Sequence, residues 1–66
     1  MNISTAIKKA MLAGKGITRE NEAYQNVTII PTNTDLCMVI SNGKSSAVRW
    51  QPSAEDLVAE DWIVTK

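Results

Sequence analysis

Arginine occurs twice in this chain, at Arg19 and Arg49, and tryptophan twice, at Trp50 and Trp62. A guanidinium is a planar fork of donors that fits phosphate or carboxylate, the natural anion holder in a chain without a glycine-rich phosphate loop. Arg49 stands directly before Trp50 at the end of an apolar run, a place from which a large ring can project into a cleft or a subunit contact. That ring can equally fill the core, the simpler assignment in a chain this short. For both arginines the competing assignment is a solvated residue on an exposed strand face. Asn33 follows Pro31 in a polar stretch, where its amide can close an Asx turn or read a base or ribose edge.

The inventory for catalysis is thin. No histidine is present, which removes Ser-His-Asp, Cys-His and zinc-hydrolase chemistry together. Glu55, Asp56, Glu60 and Asp61 are crowded enough to suggest a metal or a general acid, but Glu55 and Asp56 are accounted for by capping a helix, and Glu60 and Asp61 by a solvated turn. The lone Cys37 lies in an apolar run and reads as a buried, inert thiol. No catalytic residue, metal ligand or cofactor is assigned, and the chain is not expected to be an enzyme.

The elements that position these side chains must come from 66 residues, 44% of them hydrophobic, which make a single domain over 1–66. A domain of this length buries only about 60% of the surface its unfolded chain exposes, so self-association is expected. Seven Lys plus Arg are dispersed against seven Asp plus Glu, without the basic footprint that a nucleic-acid polymer requires. No apolar run nears the roughly 20 residues that span a bilayer, nor is there a signal-peptide core, so the expectation is no membrane partner and a cytoplasmic location.

Ile3, Ala6, Ile7, Ala10 and Met11 have the spacing of an amphipathic helix, predicted over about 4–13, capped by Ser4 or Thr5 and stopped by Gly14. Ile17-Thr18-Arg19 predicts a brief strand, followed by a polar loop. Val27-Thr28-Ile29-Ile30 is a β-branched strand that Pro31 either ends or places at an edge. Runs 36–40 and 46–50 flank Ser41-Asn42-Gly43-Lys44, and Asn-Gly between apolar runs predicts a hairpin. Ser53, with Asp56 three residues on, has the form of a capping box opening a helical turn through about Ala59, before a closing strand over 61–65 with Trp62 in the core. The fold class is α+β, an N-terminal helix packed on a small antiparallel β-sheet, with a short second helical turn before the last strand.

The run Trp50-Gln51-Pro52-Ser53-Ala54-Glu55-Asp56-Leu57-Val58-Ala59-Glu60-Asp61-Trp62 resembles the signature W-x-P-[ST]-x-x-D-L-x-A-x-D-W of the second type of Thoeris anti-defence protein, a family of small phage and prophage proteins. The helix ending in Ala13-Gly14-Lys15-Gly16-Ile17-Thr18-Arg19 is similar to that family's opening, in which G-K-x-[VI] leads to a basic strand. Family members commonly carry a tryptophan a few residues later; here Tyr24 is the only nearby aromatic and the candidate substitute.

The resemblance implies a non-enzymatic sponge that binds a cyclic ADP-ribose-type signal, in some members cyclic di- or trinucleotides, and so keeps an immune effector off. It implies homodimers or homotetramers whose pockets more than one subunit builds. On that basis the expected ligand-binding residues are Trp50 or Tyr24 stacking on the base, Arg19 or Arg49 meeting the diphosphate, and Asn33. Size points the same way: a domain with a radius of gyration of about 11 Å cannot enclose a ligand pocket of about 300–1,000 Å³ and keep a core. The rival expectation is a small phage protein that blocks a host protein directly, adding a strand at a sheet edge.

Overall fold

Asn2, not Ser4 or Thr5, opens the first helix. In the computed structural model, which describes residues 1–34, 37–42 and 48–65, α1 runs Ile3–Ala13 and the Asn2 side chain accepts the Thr5 backbone N–H at 2.8 Å. Asn2 keeps an extended backbone while its carbonyl already accepts the Ala6 N–H at 3.1 Å, as an N-cap must. Gly14 stops the helix at φ 67°, a left-handed position that glycine takes at no steric cost. The inward stripe is narrower than the spacing predicts. Ala6 and Ala10 are fully buried and Ile3 and Ile7 half-buried, whereas Met11 and Leu12 are exposed. Two alanines at the contact let the helix lie close against the sheet.

Five strands, β1 (Ile17–Arg19), β2 (Thr28–Pro31), β3 (Met38–Ser41), β4 (Val48–Arg49) and β5 (Trp62–Val64), form one antiparallel sheet in the order β4-β3-β2-β1-β5. A single 3-10 turn, Glu22–Tyr24, lies between β1 and β2, and α2 (Ala54–Val58) lies between β4 and β5. The α+β architecture expected from the sequence is therefore the one adopted. Pro31 closes β2 opposite Met38 while β2 lies between β1 and β3, so the proline ends a central strand and marks no edge. The β3–β4 pairing expected of Asn-Gly is present through Val39↔Arg49 and Ile40↔Val48; residues 35–36 and the turn 43–47 lie outside the described residues.

Cys37 is exposed and has φ 60°, just before β3. The expectation of a buried thiol is corrected: a left-handed residue breaks the strand's two-residue alternation, so apolar neighbours no longer imply an inward side chain.

Register assigns the faces. Ile17, Ile29, Ile40 and Val64 are cross-strand neighbours on the face that α1 covers, while Ile30, Val39, Arg49 and Ile63 belong to the other. α1 lies across β5, β1 and β2, and the core forms there from Ala6, Ala10, Ile17, Ile29, Trp50 and Trp62. At Gly16, just before β1, a Cβ would lie 2.5 Å from Thr28 Cγ2 and 2.8 Å from the Ile29 carbonyl oxygen, so the chains approach too closely for any side chain.

Candidate functional site

α2 buries none of its five residues, so packing alone does not place it. Asp56 does. Its Oδ2 accepts the Ser53 backbone N–H at 3.0 Å and the Ser53 hydroxyl at 3.0 Å, and its own N–H donates back to Ser53 Oγ at 3.2 Å, closing the expected capping box. Its Oδ1 accepts Arg19 Nη1 at 3.2 Å and the Tyr24 hydroxyl, and its backbone carbonyl accepts Trp62 Nε1 at 2.9 Å. One residue thus ties α2 to β1, to the 3-10 turn and to β5.

Arg19 completes this clasp. Its side chain is 10% exposed, and its Nε donates to Asp61 Oδ1 at 2.8 Å. Its guanidinium carbon lies 5.5 Å from the Tyr24 ring centroid, in cation–π range. Glu55, at 4.0 Å and 80% exposed, is an outlying contact. The Asp61 hydrogen bond raises the Arg19 pKa against the opposing pull of burial, with Asp56 adding to the rise. That same hydrogen bond holds the Asp61 carboxyl below the usual carboxylate range. Burial pushes Asp56 up, but hydrogen bonds from Tyr24, Ser53 and Arg19 together outweigh it and hold the group low. Burial first, then the hydrogen bond to Asp56, pushes the Tyr24 hydroxyl up to about 12.

The aromatic rings extend the clasp into the core. Tyr24 and Trp50 each meet Trp62 edge-on at 5.7 Å between centroids, with Trp62 fully buried in the middle. Trp50 is 8% exposed and lines an open groove of about 370 Å³. Ile3 and Ile7 of α1 form one side of that groove, Met38 and Trp50 its sheet side, and Pro52 and Leu57 the side toward α2, with Ser4 and Lys8 also in the lining. A second open groove, of about 540 Å³, lies at the other end of α1, beside Lys15, Gly16, Thr28 and Thr65.

The residues singled out from sequence do not converge on one surface. Arg19 and Tyr24 come together, but as partners of Asp56 and Asp61 and not as solvated groups on an exposed face. Trp50 is a core residue, and the small exposed part of its ring lines the groove. Arg49 is exposed, pairs across from Val39 and belongs to the face away from α1, so adjacency in sequence with Trp50 becomes opposition in space. Asn33 is exposed in the β2–β3 connection, where the local turn is held by Thr32 Oγ1, which accepts the Thr34 N–H at 2.9 Å.

What sequence reasoning missed is the role of Asp61, read as a solvated turn residue, and the groove residues Ser4, Lys8 and Leu57. Among the described residues, no group of His, Cys, Asp and Glu is arranged to hold a metal ion, and no helix is long and apolar enough to cross a membrane.

A family model described as the Thoeris anti-defense 2-like domain matches residues 1–65. The chain belongs to that family. Membership assigns it a Thoeris anti-defense role. No curated protein and no solved structure matches the chain. In this Thoeris anti-defense 2-like domain, the tryptophans and aspartates of the C-terminal run, Trp50, Asp56, Asp61 and Trp62, are the residues that build the clasp and the aromatic row. That run therefore specifies how α2 is fastened to the sheet.

Proposed function

We propose that this protein acts in anti-defense by sequestration: copies of the chain assemble and capture a cyclic nucleotide immune signal, of the cyclic ADP-ribose or cyclic oligonucleotide type, without altering it. The observation that carries this reading is the family match over residues 1–65. The dimensions support it. A domain measuring 25 × 25 × 24 Å, with a radius of gyration of 10.8 Å, offers a ligand open grooves, so full enclosure calls for a second copy as the facing wall. Capture without chemistry needs no general base, which suits a chain with no histidine.

The rival, direct blocking of a host protein by strand addition, finds little edge to use. β4 is two residues long, and on β5 the Trp62 N–H already donates to the Met1 carbonyl at 3.1 Å while the Met1 amine donates back to the Trp62 carbonyl at 3.0 Å.

Native mass spectrometry with cyclic ADP-ribose and a panel of cyclic di- and trinucleotides tests the proposal. The expected result is an assembly of two or four chains carrying ligand whose mass, after release by heat, is unchanged. A monomer at working concentration that takes up none of them overturns it, and a released ligand of altered mass replaces sequestration with catalysis.

A further inference from the structure

The groove between α1 and α2 brings together apolar walls, an aromatic ring and a cation. The second groove has Lys15 but no aromatic residue in its lining. We propose that the first groove seats the heterocyclic ring of a nucleotide, with Lys8 and Ser4 facing its phosphate. The inference rests on the sequestration reading and adds to it a place and a set of residues.

Ile3, Ile7 and Leu57 present the apolar surface that the faces of a base need, and the ring of Trp50 adds an aromatic surface beneath them. At about 370 Å³ the groove is near the lower bound of ligand sites, about 300 Å³, so the ring enters and the charged part of the ligand stays at the mouth. Charge selects an anion there. Among the described residues, Lys8 is the only charged one in the lining and no carboxylate is paired with it. The clasp is the reverse case: a phosphate approaching Arg19 meets Asp56 and Asp61, two groups of its own sign already bonded to the guanidinium.

Isothermal titration of the full chain with AMP, adenosine and a panel of cyclic nucleotides tests this on the native protein and on Lys8→Glu, Lys9→Glu and Leu57→Asp. Lys9 is exposed, adjacent and outside the groove lining, so its reversal makes the same change in net charge without touching the site. Leu57 is 52% exposed, so the aspartate is tolerated by the fold, which circular dichroism verifies.

The groove assignment predicts that Lys8→Glu weakens AMP and the bound cyclic nucleotide about tenfold or more while Lys9→Glu changes them about threefold or less. Adenosine, which has no phosphate, loses affinity in Leu57→Asp and not in Lys8→Glu. Equal effects of the two lysine reversals overturn the groove and leave sequestration standing. AMP capture with the expected pattern but no uptake of any cyclic nucleotide overturns sequestration and keeps the groove. Silence toward every ligand overturns both.

Discussion

Replacing Asp56 by alanine removes the side chain on which the placement of α2 rests. Two losses can be counted. The capping box with Ser53 disappears, at about 1 kcal/mol. The Tyr24 hydroxyl loses a charged acceptor, a bond that contributes about 1.5–3 kcal/mol and is little screened because the Asp56 side chain is 14% exposed. The Arg19 contact is left out of the sum, because Asp61 still holds the guanidinium at 2.8 Å. The total is about 3 kcal/mol, against about 3–10 kcal/mol for a whole domain of this length.

For so small a domain each kcal/mol lowers the melting temperature by about 4–8 °C, so Asp56→Ala should melt about 12–24 °C below the native protein. Tryptophan fluorescence follows the transition, since Trp62 donates to the Asp56 carbonyl and reports on the same region. Protein concentration must be matched, because the proposed assembly would make the midpoint concentration-dependent. Asp56→Asn keeps an acceptor oxygen in place and should lose less than half as much. An alanine variant melting within about 3 °C of native would refute the reasoning, and would mean that Leu57 and Pro52, through their apolar contacts, place α2 unaided.

The acid limb of stability follows from Asp61 and Asp56, whose folded pKa values are both depressed. Such a group stabilises above its unfolded value of about 3.9, and the stabilisation is lost as pH falls through the folded value, so stability in urea should hold down to about pH 5 and decline below about pH 4. Asp61→Asn should flatten that decline, and an unchanged acid limb in the variant counts against the ion pair. At the alkaline end the Tyr24 hydroxyl, raised to about 12 when folded, ionises near 10 when unfolded, so its contribution is intact below about pH 10 and drains away between there and about 12. Ultraviolet titration reads this directly because Tyr24 is the single tyrosine; a phenolate appearing near pH 10 in folded protein contradicts the Asp56 bond. Gly16→Ala drives a Cβ against Thr28 and the Ile29 carbonyl and should cost about 1–3 kcal/mol in chemical denaturation, whereas a neutral result would mean that β1 and β2 separate freely there.

The fold was legible where the signals are local. The apolar period found α1, the Ser53–Asp56 spacing found the capping box, and Asn-Gly found the β3–β4 pairing. The cap of α1 was missed because Asn2, Ser4 and Thr5 are all capping types, and the choice depends on which side chain reaches an N–H one turn on. Cys37 was misread because a left-handed backbone at one residue leaves no trace in hydrophobic pattern. The candidate site was less legible still. Arg19 finds Asp56 and Asp61 across 37 and 42 residues of chain, a separation over which no periodicity speaks. One part was within reach: strand alternation alone sends Arg49 and Trp50 to opposite faces, which argues against treating them as one ring-and-fork pair.

The distribution of polar groups gives a reason why the proposed capture would use a different cation from the one that fastens α2. A domain with three rings in a row and a second helix that buries nothing must fasten that helix by charge, and the arginine and two aspartates that do so are saturated by one another. A guanidinium already sharing its donors between two carboxylates gains little from a third anion, which would have to displace one of them and leave it partly buried without a partner. Binding energy for a phosphate has to come from a cation that folding leaves uncommitted and that stands beside apolar surface a ring can cover. Among the described residues Lys8, at the groove that Leu57 and Trp50 help to line, meets both conditions. Because Leu57 follows Asp56 directly in α2, the residue that fastens the helix also sets one wall of that groove, so in the proposed capture the charge network would act through position.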